Sequence, residues 1–221
     1  RAFAGQDLVA ALQARFDADG SVARQANLTA FGILALRAAG APRRARPVAP
    51  AVRWLVRQQN RDGGFGFATR GMASDVDVTA AVAQALVAGG APRAAVRRAT
   101  AFLRRQQNPD GGLPLLPGGS SNAQSTAWAV QALVAARVPL RSVRRRGGRT
   151  PLAYLASLVG PDGAVRFSRA SRQTPVWVTA QAALALARRP LPLRPVRRGA
   201  RRAQPAAAAT VAARADDGGS A

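Results

Sequence analysis

The sequence predicts an all-α protein, a ring or open arc of four helical hairpins, each built from an outer and an inner helix. Three recurrences predict it. Asp-Gly pairs return at Asp19-Gly20, Asp62-Gly63, Asp110-Gly111 and Asp162-Gly163. After each pair a Thr-Ala opens an apolar run, at Thr29, Thr79, Thr126 and Thr179. Before each pair lies a more amphipathic stretch with arginines on its polar side. The threonines are 47 to 53 residues apart, a period suited to stacked hairpins that bury their apolar sides on one another.

The units fall at about 5–41, 46–91, 93–138 and 149–189, within a repeat domain of residues 1–189. The four runs read TAFGILALRAAG, TAAVAQALVAGG, TAWAVQALVAAR and TAQAALALARRP, apolar on nearly every face, which predicts buried inner helices. The outer helices are clearest at Ala51–Gln59 and Arg97–Gln107, where Arg53, Arg57, Arg97, Arg98, Arg104 and Arg105 mark a solvent face. Gly40, Gly89 and Gly90 are expected to close inner helices, with Pro42 and Pro92 as stops. A basic loop, Arg141 to Gly148, joins the third and fourth units. From Arg188 the composition turns to Arg, Pro and Ala, so residues 190–221 are expected to form a disordered basic tail.

Composition narrows the chemistry. The 221 residues carry 33 basic and 10 acidic side chains, all Arg and all Asp, and no Cys or His. Such a positive field attracts anionic surfaces such as lipid or wall polymer. No basic helix interleaved with stacking aromatics is visible, so sequence-specific nucleic-acid reading is not expected. Without Cys or His, neither a zinc site nor a Ser-His-Asp or Cys-His mechanism can be assembled, and no metal or cofactor is expected. No apolar run is long enough to span a bilayer. A start at Arg1 rather than Met suits a processed or excerpted chain, and extracellular or cell-envelope placement is the expectation, cytoplasmic the alternative.

Two turns share a longer signature. Trp54-Leu55, Gln59 and Asp62-Gly63-Gly64-Phe65 are matched by Phe102-Leu103, Gln107 and Asp110-Gly111-Gly112-Leu113. The fourth unit keeps Tyr154-Leu155 and Asp162-Gly163, and the first keeps Leu12 and Asp19-Gly20. Physically, Asp can accept from its own turn's amides and Gly supplies positive φ. Gln is expected to satisfy carbonyls at the end of its outer helix, and the aromatics to pack across the turn. The pattern resembles the QW-type repeat of the prenyltransferase and squalene-cyclase superfamily, over about residues 5 to 189. That resemblance implies an α/α toroid of outer and inner helices.

Within this likeness, Ser74-Asp75-Val76-Asp77-Val78-Thr79-Ala80 resembles the DxDD-Thr-Ala motif of squalene-hopene and class II diterpene cyclases, with Val78 in place of the last Asp. The resemblance implies that Asp77, in the middle position, protonates an alkene, with Asp75 beside it. Such an acid must be held protonated and poised by neighbours. The same residues also read as a helix start, because Ser74 and Asp77 are spaced like a capping box and carboxylates favour a helix N-terminus. Where Asp77 stands, the other units carry Asn27, Gln124 and Trp177, a register expected to line a cavity mouth. Arg24, Arg70 and Arg172 each precede an inner helix, and parallel inner helices would bring them to one anion-binding mouth.

The leading expectation is therefore a non-catalytic scaffold that binds an apolar or anionic, isoprenoid-like ligand or an envelope partner. The alternative is a class II terpene-cyclase-like isomerase that starts cyclisation from Asp77.

Overall fold

The computed structural model describes residues 2–193. The tail expected at 190–221 falls, from residue 194 on, outside the described residues. A short antiparallel hairpin, β1 (Ala2–Phe3) and β2 (Gln6–Asp7), opens the chain and was not foreseen. The rest is helical: α1 (Leu8–Gln13), α2 (Ala26–Ala38), α3 (Val48–Gln58), α4 (Val76–Gly89), α5 (Arg93–Arg105), α6 (Ala123–Ala135), α7 (Pro151–Ala156) and α8 (Pro175–Leu186), with one 3₁₀ turn at Leu140–Ser142.

The even-numbered helices form one continuous inner layer in the order α2–α4–α6–α8, and the odd-numbered ones pack behind it. Alanine makes this possible. Ala80, Ala81, Ala83 and Ala85 on α4 are all buried, so neighbouring helices approach on more than one side. The outer helices bury one stripe only: Ala95, Ala99, Phe102 and Leu103 of α5 face inward while Arg97, Arg98, Arg104 and Arg105 stay exposed. The layer is an open arc whose terminal helix, α8, leaves Val176 84% exposed.

Each turn is built alike. The aspartate accepts the amide two residues on: Asp19 from Ser21 (2.8 Å), Asp62 from Gly64 (2.9 Å), Asp110 from Gly112 (2.9 Å) and Asp162 from Ala164 (3.1 Å). The first glycine takes positive φ, +87° at Gly63 and +92° at Gly111. The inner-helix threonine then ties the turn down. Thr29, Thr79, Thr126 and Thr179 Oγ1 accept the amides of Val22, Phe65, Leu113 and Val165 at 2.8–2.9 Å.

Two roles assigned from the sequence need correction. Gln59 does not serve the end of its own helix. Its Nε2 donates to Gly63 O (2.9 Å) and to Ala95 O of the next outer helix (3.0 Å). Gln107 likewise donates to Gly111 O (3.0 Å), Arg149 O (3.1 Å) and Val143 O (3.3 Å). The aromatics, too, pack on the turn of the preceding unit rather than their own. A Cβ at Gly64 would lie 2.9 Å from Phe102, and one at Gly112 would lie 2.8 Å from Tyr154. Both glycines are required from two sides, by Ser74 and Ser121 of their own units, each with its Cβ 2.6 Å away, and by the aromatic ring of the next unit. The cause is lateral: the open positions beside a turn are filled by the neighbouring hairpin, not by the helix that precedes it.

Units are further joined through backbone. The first amides of α2, α4 and α6 donate to loop carbonyls one unit on: Ala26 to Phe67 (3.0 Å), Val76 to Leu115 (2.9 Å) and Ala123 to Phe167 (2.7 Å). The last inner helix begins with Pro175, which has no N–H to satisfy. Arginines complete the joints by donating to carbonyls, Arg98 to Asn60 O (2.6 Å) and Arg145 to Gln107 O (2.8 Å). Inner helices end in Schellman-type closures, Ala41 N to Leu36 O and Ala91 N to Leu86 O at 2.9 Å. Gly40 (φ +92°) and Gly90 (φ +79°) hold the left-handed position there, whereas Gly89 is still helical.

Candidate active site

Asp75 and Asp77 occupy the start of α4, the most enclosed inner helix. Asp75 is the N-cap, its carboxylate accepting the Val78 amide at 2.7 Å. Burial raises its pKa, with the amides of Val78 and Asp77 opposing. Capping thus accounts for Asp75. Asp77 is different: it caps nothing, and its Oδ1 is buried with no hydrogen-bond partner. Burial, with a smaller push from the Asp75 charge, moves its pKa up to about 6, while the nearby Ser125 hydroxyl on α6 pulls the other way. An acid of this kind holds its proton to near neutrality and is only partly solvated.

Ser125 is itself held. Asn122, the N-cap of α6, accepts the Ser125 amide through Oδ1 (2.8 Å) and donates from Nδ2 to Ser125 Oγ (3.1 Å). Neither residue was singled out in the sequence. The signal was present, however: aligning the four threonines puts Ser125 where the other inner helices carry Leu28, Val78 and Val178.

An aromatic surface lies along the same layer. Phe31 of α2 and Trp128 of α6 meet edge to face, with centroids 5.7 Å apart, spanning the α4 helix that separates their own. With the Gln181 amide oriented to satisfy its neighbours, its Oε1 accepts from Trp128 Nε1 (3.0 Å) and Trp177 Nε1 (3.1 Å). Both indole N–H groups are thereby occupied. Phe31 is 41% and Trp177 62% exposed, so much of this surface faces solvent. Of the four residues in the Asp77 register, Trp177 joins this cluster, Gln124 is half-buried on α6, and Asn27 turns its Oδ1 to the Leu28 amide (2.8 Å).

The arginines sit differently. Arg24, Arg70 and Arg172 are exposed, and each is engaged at a different turn. Arg24, at φ +51°, acts on Asp19. The Arg70 amide donates to Gln58 Oε1 at 3.1 Å. Arg172 lines a small cleft of about 170 Å³ with Asp162 and Pro175. Gln59, Asp62, Gly63, Gly64, Gln107, Asp110, Gly111 and Gly112 serve the turns described above. Among the described residues no three His, Cys, Asp or Glu side chains gather as a metal site, and no helix is long and apolar enough to cross a membrane.

No family model matches the chain. A drimenyl diphosphate synthase of Streptomyces showdoensis is 36% identical over 165 residues, 73% of this chain and 30% of that protein. A drimenyl diphosphate synthase of Streptantibioticus cattleyicolor is 34% identical over 190 residues, 80% of this chain and 35% of that protein. Protein geranylgeranyltransferase-I of Candida albicans, solved in complex with GGPP, superposes with a TM-score of 0.61 at 15% identity, over 74% of this chain and 49% of that one. The chain belongs to the prenyltransferase and terpene-cyclase superfamily. The superfamily's α/α architecture is the one seen here, with inner helices walled by outer ones. This member spans about a third of the length of the curated relatives it matches.

Proposed function

We propose that this chain is the acid-bearing repeat arc of a class II terpene cyclase and that Asp77 starts cyclisation of an isoprenoid diphosphate. The observation that carries this reading is the buried, unpartnered Oδ1 of Asp77 at the start of α4, an inner helix of the layer that also carries the aromatic surface. An orphaned buried acceptor costs roughly 1–3 kcal/mol, and a fold keeps such a group where it has work to do. The Asp77 hydroxyl gives its proton to an alkene carbon, leaving a tertiary cation. The remaining double bonds of the isoprenoid then attack that cation. Loss of a proton from a neighbouring carbon restores neutrality, so the overall change is an isomerisation, and the Asp77 carboxylate is reprotonated from solvent. The π faces of Phe31, Trp128 and Trp177 suit the passing cation. The drimenyl diphosphate synthases support the reading through a shared superfamily and a product that keeps its diphosphate.

One observation favours a second reading, a scaffold that binds the same ligand without turning it over. Val78 fills the position of a third carboxyl, and the aromatic surface is largely open to solvent. A single experiment separates the two. The protein and its Asp77→Asn variant are incubated with farnesyl diphosphate, geranylgeranyl diphosphate and squalene, with products followed by gas chromatography–mass spectrometry and binding by quenching of tryptophan emission. Cyclic product from the parent, lost in the variant while quenching persists, supports the cyclase. Equal quenching with no product from either protein leaves the scaffold.

A further inference from the structure

We propose that Arg137, Arg141 and Arg188 form a binding site for a phosphate ester with an apolar chain, in a cleft at the C-terminal ends of α6 and α8. The site is separate from Asp77, at the N-terminal end of α4, and does not rest on the acid role given to that residue. Its starting point is the way the inner helices end. After α2 and α4 the left-handed residue is glycine, Gly40 (φ +92°) and Gly90 (φ +79°). After α6 and α8 it is arginine, Arg137 (φ +59°) and Arg188 (φ +52°). A side chain is strained in that conformation, and a fold keeps such strain where the side chain has a use. The negative end of the helix dipole does not account for it. Arg37 meets that end of α2 from an ordinary position inside the last turn, and glycine still closes the helix.

The two strained arginines converge. With Arg141 of the 3₁₀ turn they line one cleft of about 490 Å³, within the usual span of small-molecule sites, roughly 300–1,000 Å³. Its apolar wall includes Val134, Leu140 and Leu152, all packed on the core shared by α6, α7 and α8. No acidic side chain lines it. Elsewhere arginines serve carbonyls: Arg37 donates to Ala88 O, Arg98 to Asn60 O and Arg145 to Gln107 O. Among the described residues the guanidinium groups of Arg137, Arg141 and Arg188, all exposed, have no hydrogen-bond or ion-pair partner. Three like charges around one recess repel one another until an anion enters. Thr150 adds a neutral donor, because its Oγ1 accepts the Ala153 amide at 3.2 Å and its own proton is left for a ligand. Three guanidinium forks and a hydroxyl match the oxygens of a phosphate dianion better than the two of a carboxylate. The aliphatic wall calls for hydrocarbon beside that head. The site thus takes a phosphate monoester of a hydrocarbon, either free or as the head of a membrane lipid.

The test is isothermal titration calorimetry of the full chain with hexyl phosphate, inorganic phosphate and hexanoate, near physiological ionic strength. Hexyl phosphate should bind about tenfold more tightly than inorganic phosphate, because several methylenes leave water, and about fivefold or more above hexanoate. Arg137→Gly and Arg141→Ala should each weaken hexyl phosphate about tenfold. Glycine relieves the backbone at 137, so a lost site there is not a lost fold, and the melting temperature of the variant checks this. Arg141→Ala removes a charge with no left-handed residue involved, and keeps the test decisive if Arg137→Gly melts early. Arg97→Ala, on the exposed face of α5, lowers the net charge equally and should leave the affinity unchanged. Equal binding of inorganic phosphate or hexanoate, undiminished binding in both arginine variants, or an equal loss in Arg97→Ala overturns the proposal. Vesicles of phosphatidylcholine with and without phosphatidic acid distinguish the source of the head. Co-sedimentation that requires phosphatidic acid and fails in Arg137→Gly assigns it to a bilayer lipid. Hexyl phosphate binding without such co-sedimentation assigns it to a free ester.

Discussion

Gln59 Nε2 donates a 3.0 Å hydrogen bond to the carbonyl of Ala95, 36 positions further on and in the next outer helix. The same nitrogen serves Gly63 O of its own turn at 2.9 Å. One buried amide thus holds a turn closed and fastens it to its neighbour. Gln107 repeats the arrangement one unit later, where it also reaches Val143 and Arg149. Replacing either glutamine by alanine leaves buried carbonyls without donors, and the expected loss is about 2–3 kcal/mol each. Urea denaturation measures it. A loss under about 0.5 kcal/mol would mean that water takes over the carbonyls and the joint does not depend on glutamine.

Thr79→Val tests the second fastening. The two side chains match in shape, but valine cannot accept the Phe65 amide that Thr79 Oγ1 receives at 2.9 Å. A buried N–H would be stranded at the turn. Destabilisation of about 1–3 kcal/mol is expected, and amide exchange at Phe65 should quicken. Unchanged exchange would show that the amide has another acceptor.

Asp77 should give stability a distinctive pH dependence. Its folded pKa is raised to about 6 from the ordinary 3.8. The folded state therefore holds this proton more tightly than the unfolded chain does. The group's contribution is intact below about pH 4 and is lost as pH rises through 6. Comparing the parent with Asp77→Asn isolates it. The two should be similarly stable at pH 3.5, and the variant should gain about 2–3 kcal/mol on the parent by pH 7.5. A constant difference across that range would mean that Asp77 titrates normally.

Two inner helices close on arginine where the others use glycine. Arg137 (φ +59°) and Arg188 (φ +52°) hold the left-handed position after α6 and α8, with closing bonds from Val138 N to Leu133 O (2.9 Å) and Arg189 N to Leu184 O (2.8 Å). A side chain is strained there and glycine is not. Arg137→Gly should stabilise the protein by about 0.5–1 kcal/mol, read as a rise in Tm. A fall in Tm would reveal a contact of the Arg137 guanidinium that outweighs the backbone strain.

The sequence by itself determined the hairpins and the two layers. Asp62, Gly63 and Thr79 act within a few residues or across one turn, so their roles follow from local backbone chemistry, and apolar density alone separates an inner helix from an outer one. It also determined that Asp77 differs from its counterparts Asn27, Gln124 and Trp177. What it left open was every contact made sideways. That Gln59 reaches Ala95, that Phe102 presses on Gly64, and that Asp77 Oδ1 is buried all depend on how one hairpin is rotated against the next. That rotation is set by alanine faces of α4 and α6, which allow several close approaches of nearly equal merit as isolated helices. Only the assembled layer, with both outer helices and both loops in place, selects one of them. The raised pKa of Asp77 is decided at that level, because the burial that causes it comes from the packed layer and not from its own helix turn.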